Sequence, residues 1–366
     1  MTSFRAYDQG LCRTHLDEKV GDKVAPAVES CTVKSHTPPR FQLPQQETEM
    51  LAYLDEHGYC VVASVASDAQ IATAHADFWT YLGTTGADLL LRDDPAKRKL
   101  WLPNARNGIL GSGSFNHSPF CWNTRLLPGV KRAFASIWGT DDLICSFDGS
   151  NAFRPWQRES AWLTEGGWWH VDQNATRPHR SGRVCVQGLV SYRDATVDTG
   201  GLCVIPGSHR DHDALCARSP STKMQIDFVT VEKSDPILAA GGVLVECLAG
   251  DLVLWDSRTV HCNTPALTAP SFFSLPAAQQ AEMAAAIPPE VIRLVGYVCM
   301  VPAAYADAEV LKGKVTMFQY QMPTSHWPTQ PCPYQPDGPP PVSLDACSPE
   351  QLALVGYREA STCSLQ

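Results

Sequence analysis

Between residues 143 and 303 the chain is cut into short apolar segments. In order they read LICSFDG, GGWWHVDQ, RVCVQGLVSYRDA, GGLCVIPGSH, GGVLVECLAGDLVLWD, RTVHCN and VIRLVGYVCMVPA. Each is rich in Val, Leu, Cys or aromatic residues and is bounded by Gly, Asp or Pro, which is the pattern of strands separated by turns. Helical periodicity lies outside this block. Residues 45–56 place Met50, Leu51 and Leu54 on one face, and residues 67–83 read as an amphipathic helix with Ser67 as N-cap and Gly83 just past its end. Residues 127–138 and 306–321 give two more helical patterns. A run of strands flanked by helices predicts a mainly β fold, a double-stranded β-helix (jelly roll, cupin-like) spanning about 143–302. The 25 Gly and 28 Pro suit such a loop-rich architecture better than a helical bundle.

No internal repeat or clear linker divides the chain, so one domain over 45–325 is expected. Residues 1–44 carry Pro26, Pro38, Pro39 and Pro44 without periodicity and read as an extended N-terminal arm. Residues 84–127 read as a long loop region, and 326–366 as a Pro-rich tail laid over the surface. With 29 Lys and Arg against 38 Asp and Glu, the net charge is −9 and no basic run exists, which argues against a nucleic-acid partner. No apolar stretch reaches the ~18 residues of a membrane span. MTSFRAYDQG lacks the apolar region of a secretory signal. The 14 cysteines are scattered, without a CxxC pair, and read as reduced, buried thiols of a cytoplasmic protein. The terminal Cys363-Ser364-Leu365-Gln366 fits the C-a-a-X prenylation pattern, but no basic run accompanies it. The oligomeric state is not fixed by the sequence.

Two segments carry chemistry. In GGWWHVDQN, His170 and Asp172 stand two apart, and positions i and i+2 of a strand share a face. In GDLVLWDSRTVHCN, an apolar strand leads to His261, and an antiparallel return would set it opposite the first pair. Two imidazoles and one carboxylate on one face of a metal leave three positions open, the facial triad of non-haem Fe(II) oxygenases. An isolated HxD is most often a surface or hydrogen-bonded pair; here both segments are apolar and strand-like, in a β-rich chain. Ser208, His209 and His212 suggest a second metal site, yet histidines three apart are usually turn residues.

These segments, with GGLCVIPGSHRDH and RLVGYVCMVP, resemble the phytanoyl-CoA dioxygenase-like family of Fe(II)/2-oxoglutarate oxygenases over about residues 145–305. The resemblance implies that His170, Asp172 and His261 hold Fe(II), with 2-oxoglutarate and O₂ as cosubstrates. It also implies an Arg at the head of the last core strand as anchor for the distal carboxylate of 2-oxoglutarate, which makes Arg293 the candidate. The pattern departs from the family in two places. Arg293 lies well beyond His261, so roughly 268–289 must be an insertion, and Val295 stands where a Ser or Thr is common. Arg258 is the reserve anchor, with an ion pair to Asp256 or Asp251 as its structural role, and Asn263 is a further cosubstrate contact. Because halogenating relatives replace the carboxylate by a small residue, Asp172 implies hydroxylation or a related oxidation.

Trp169, Gln187, Asn151 and Arg154 are the candidate contacts for a small-molecule substrate, with packing, surface or turn roles as the plainer alternatives. Substrate loops are expected at 84–127 and 268–289, whose composition names no ligand. Two other functions stay open: a cupin-type metal-dependent isomerase or hydrolase without 2-oxoglutarate, and a non-catalytic jelly-roll binding protein. The arginine on the last strand separates the first of these from an oxygenase; metal content separates the second.

Overall fold

The structure, a computed structural model, describes residues 31–84, 106–111, 113–330 and 342–358. Its core is two facing sheets. The six-stranded sheet runs β1 (Val33–His36), β11 (Gly242–Val245), β9 (Gly201–Val204), β13 (His261–Thr264), β7 (His170–Val171), β10 (Val229–Thr230). The eight-stranded sheet runs β2 (Arg40–Phe41), β3 (Tyr59–Val62), β12 (Leu252–Asp256), β8 (Val186–Ser191), β14 (Arg293–Pro302), β6 (Ser150–Phe153), β4 (Ile109–Leu110), with β5 (Leu143–Cys145) also on β14. The helices are α1 (Glu47–His57), α2 (Asp68–Gly83), α3 (Pro119–Arg125), α4 (Pro128–Trp138), α5 (His212–Arg218), α6 (Ala269–Phe273), α7 (Ala277–Ala286), α8 (Ala308–Gln319) and α9 (Pro349–Val355). This is the expected double-stranded β-helix with flanking helices.

The period of two along each strand explains why the eight-stranded sheet reads as continuous apolar runs. Cys60 and Val62 of β3, Leu252 and Leu254 of β12, and Leu294, Val298 and Met300 of β14 face outward. There they pack under α1, α2, α3, α4, α8 and α9, with Met50, Leu54, Phe78, Phe120, Phe134 and Phe318 in the same cluster. Tyr59, Val61, Val253, Trp255 and Val295 point the other way, into the space between the sheets, where they meet Leu202, Val204 and Val245. A strand covered on both faces has no polar side to show.

Local signals set several helix ends. Ser67 and Gln70 form a capping box at the start of α2. Gly58 ends α1 in the left-handed region, and Thr259 Oγ1 donates to its carbonyl at 2.8 Å, leaving no room for a side chain.

Several expectations need correction. The described part of 84–127 is not simply loop: it holds β4 and α3, and 85–105 lie outside the described residues. In α3, Phe120, Cys121, Trp122, Thr124 and Arg125 are all buried, so two turns of helix leave no polar face to read. Residues 268–289, expected as an insertion, carry the helices α6 and α7. β6 (SNAF) has little strand character of its own; it pairs with the central β14, Arg293 opposite Phe153 and Val295 opposite Asn151. β1 and β2 come from the stretch read as an arm and join one sheet each by parallel pairing. The segment after α8 does not lie over the surface, because Thr324 and Trp327 are buried. Cys363 lies outside the described residues.

One anchor has a testable cost. Lys314 of α8 is fully buried, with Nζ donating to the Cys145 carbonyl at 2.7 Å and lying 4.2 Å from the Phe147 ring centroid. Burial brings its pKa from 10.5 down to about 8. Between those values the unfolded chain keeps a proton that the folded state releases, so the penalty is full below pH 8 and gone above pH 10.5. Relative to Lys314→Met, wild type should therefore gain stability across that window. The gain should be up to about 3 kcal/mol, read as urea midpoints of both proteins at several pH values.

Candidate metal centre

β7 and β13 are neighbours in the six-stranded sheet, and their register sets His170 directly opposite His261. Asp172 lies just past β7 and is fixed by its N–H, which donates to the Ser257 carbonyl at 2.9 Å. The three side chains are buried, and one ligand atom from each lies within 4.8 Å of the others. His170 Nε2 is 3.4 Å and His261 Nε2 3.2 Å from Asp172 Oδ2.

The other ring nitrogens decide the tautomers. His170 Nδ1 sits 3.1 Å from the Trp168 carbonyl and His261 Nδ1 2.9 Å from the Thr259 carbonyl. A carbonyl only accepts, so each Nδ1 carries the hydrogen and each Nε2 keeps its lone pair toward the centre. Burial, and then the neighbouring His170, push His261 below its ordinary pKa, which favours the neutral ligand form. For Asp172 burial works upward, but the nearby His326 and His170, with both ligand rings close against the carboxylate, outweigh it and hold the carboxyl well below its usual range. Gln187 Nε2 donates to Asp172 Oδ2 at 2.9 Å, orienting the carboxylate. Two neutral imidazoles and one carboxylate are donors suited to a divalent transition metal with open positions.

Aromatic rings frame the group. The His170 ring stacks on Trp168 (centroids 5.0 Å) and on Phe228 (4.5 Å), and Trp255 lies 5.5 Å from His261. Trp169 is not one of these rings. It packs with Val171, Cys203 and Val229 in a separate cluster, and its six-membered ring lies against Gly242. The alternation that puts Trp168, His170 and Asp172 on one face sends Trp169 to the other, so its expected substrate role is corrected to packing. Phe228 had no sequence signal, since β10 is two residues long.

Arg293 opens β14 and is 3% exposed. Its Nε donates to Asn151 Oδ1 at 3.1 Å, its guanidinium lies 5.4 Å from the Phe153 centroid, and Nη2 is buried with no partner among the described residues. Burial lowers its pKa, with Tyr297 and Cys247 opposing. Among the described residues no carboxylate pairs with this desolvated guanidinium, whose planar fork of donors is suited to a carboxylate. Asn151 and Asn263 both donate to the Asn107 carbonyl, at 2.6 and 3.2 Å, beside it.

Gly201 of β9 backs onto the guanidinium: a Cβ there would stand 2.7 Å from Arg293 Nη1, at a backbone φ of +151°. Gly201→Ala should therefore displace the fork and weaken 2-oxoglutarate by roughly 10–100-fold in an equilibrium titration, with metal affinity unchanged.

Other candidates are placed elsewhere. Arg258 is committed to Asp256 (Nε 2.9 Å, Nη2 2.8 Å), which Arg183 also contacts at 2.9 Å, so the reserve anchor is an ion pair. Arg154 lies over the Trp162 ring at 4.5 Å. Ser208 accepts from the Val260 N–H, His209 bonds the Asp55 carbonyl and His212 the Gln173 carbonyl, which makes all three structural. Among the described residues His170, Asp172 and His261 form the one His/Cys/Asp/Glu cluster with metal-binding geometry.

A family model for phytanoyl-CoA dioxygenase matches residues 54–269, more than half of the chain. The chain belongs to the phytanoyl-CoA dioxygenase family. Enzymes of the phytanoyl-CoA dioxygenase family are non-haem iron oxygenases that consume 2-oxoglutarate and O₂. A curated relative, Ava biosynthesis cluster protein O of Aspergillus versicolor, is 31% identical over 223 residues, which is 58% of this chain and 64% of that protein. The chain thus matches somewhat under two thirds of that relative's length.

Solved structures with similarity to this family member include the non-heme alpha ketoglutarate dependent carbocyclase SnoK from nogalamycin biosynthesis, at 16% identity and TM-score 0.42 over 70% of this chain and 83% of that one. EctD from S. alaskensis with bound Fe also aligns at 16% identity and TM-score 0.42, over 75% and 82%. No helix among the described residues is long and apolar enough to cross a membrane.

Proposed function

We propose that this chain is an Fe(II)- and 2-oxoglutarate-dependent dioxygenase that hydroxylates a small or medium organic substrate and releases succinate and CO₂. The observation that carries the reading is the convergence of His170, Asp172 and His261 with both Nε2 lone pairs free, beside which the Arg293 guanidinium is buried between the two sheets against Gly201, its Nη2 without a partner among the described residues. The name of the fungal relative, a biosynthesis-cluster protein, supports a small-molecule substrate.

In this reading His170, Asp172 and His261 hold the iron on one face. Gln187 fixes the carboxylate, and Arg293 with Asn151 receives the distal carboxylate of 2-oxoglutarate. Asn263 lines the same end. When bound, the metal supplies oxygen activation coupled to decarboxylation of the keto acid. The protein supplies geometry: fixed imidazole tautomers, a buried cation for one end of the cosubstrate, and aromatic rings stacked on His170.

Anaerobic addition of Fe(II) and then 2-oxoglutarate should produce a weak visible charge-transfer band. Iron-loaded protein that shows no band and releases no succinate in air would count decisively against an oxygenase.

A further inference from the structure

The segment after α8 enters the pocket. Phe147 N–H donates to Thr324 Oγ1 at 2.7 Å and Thr324 N–H returns to the Phe147 carbonyl at 3.1 Å, locking the segment beside the turn that carries Asp148. Trp327 is 3% exposed, packs on Cys185 and Cys299, and lies 4.0 Å under the Arg180 guanidinium. Gln330 Nε2 donates to Asp227 Oδ2 at 3.0 Å, next to Phe228. Cys185 and Cys299 flank the strand pair that presents Gln187 to Asp172. The segment is thereby tied at four places around the metal ligands.

Between these ties sits His326. Its Nε2 is buried with no hydrogen-bond partner among the described residues. Its electrostatic neighbours are the carboxylates of Asp172 and Asp148. Asp148 has one carboxylate oxygen, Oδ1, bonded to the Gly149 N–H at 2.8 Å. Burial pushes this carboxyl up, and His326 pulls it back part of the way. A buried ring nitrogen left without a partner costs on the order of 1–3 kcal/mol unless a ligand completes it. Neither residue belongs to the metal-binding cluster or contacts the Arg293 fork.

We propose that His326 and Asp148 form the substrate subsite of this pocket, binding a group that both gives and accepts a hydrogen bond, such as a hydroxyl, while the apolar body of the substrate lies against Trp168 and Phe228. This rests on the oxygenase reading above. It makes position 326 a point that the oxidising centre can reach when no substrate is present.

The test uses the full-length chain as His326→Tyr and, separately, His326→Leu, each with Fe(II), 2-oxoglutarate and air but no added substrate. A side chain at the substrate position then offers the oxidising centre a C–H bond there. One oxygen atom of O₂ enters that bond as a hydroxyl, and the other enters the new carboxylate of succinate as 2-oxoglutarate loses CO₂ and supplies two electrons. The expected result is a 16 Da gain mapped to residue 326 by peptide mass spectrometry, dependent on 2-oxoglutarate and absent under argon. Release of succinate without that gain, in both variants, overturns the subsite. Absence from wild type of both the charge-transfer band and succinate overturns the oxygenase reading and this inference with it, a separate outcome read before either variant is made. If only the variants release no succinate, position 326 supports the cosubstrate and the subsite assignment is wrong.

Discussion

Asp172→Ala is expected to abolish 2-oxoglutarate-dependent product formation while the protein still folds. Its carboxylate is the only anionic group of the three, lies within 3.4 Å of both imidazole Nε2 atoms, and receives the Gln187 amide. Changes to groups that merely support a metal ligand commonly cost about 10–100-fold in metal affinity or activity, so loss of a ligand itself should exceed that range. The fold survives because the Asp172 backbone keeps its bond to Ser257 and because the core of the sandwich lies in other clusters. Calorimetric titration with Fe(II) or Mn(II), beside circular dichroism, checks both halves. Unchanged metal affinity in a folded variant would remove Asp172 from the site.

Arg293→Met should separate stability from function. Among the described residues the guanidinium is buried without a carboxylate partner, a costly state that a linear apolar side chain of similar reach relieves. The ligand-free variant should therefore melt no lower than wild type. Its affinity for 2-oxoglutarate should fall by about 2–5 kcal/mol, roughly 30- to several thousand-fold, as for other truncated partners of buried charge pairs. Thermal melts with and without saturating 2-oxoglutarate report both: wild type shifts upward by ligand linkage and the variant does not. An equal ligand shift in the two proteins would assign the keto acid another anchor. Arg258 would not inherit that role, since Asp256 already takes its fork.

What could be read from the residues, and what could not, follows from the range of the forces involved. The strands that carry His170, His261 and Arg293 announce themselves because each is a short apolar run with turn residues at its ends. The HxD spacing works because strand geometry is local. The same local rule, applied one residue earlier, already separates Trp168 from Trp169. β6 and the two-residue β10 owe their existence to neighbours far away in the chain, and no window of sequence contains those neighbours. For α3 the difficulty is burial on all sides, which erases amphipathicity. Phe228, Asp148 and His326 reach the pocket only through tertiary docking: Phe228 by stacking on His170, and His326 by the Thr324–Phe147 and Trp327–Arg180 contacts. A histidine in a Pro-rich stretch carries no mark of such a place.

The paired register of His170 and His261 has a mechanical consequence. An ion held by both would act as a rivet through two adjacent strands that the chain reaches only after a long excursion, so emptying the site would do more than switch off chemistry. It would unfasten one edge of the smaller sheet, where β7 and β10 are held by very few backbone bonds, and leave that edge the first part of the molecule to fray.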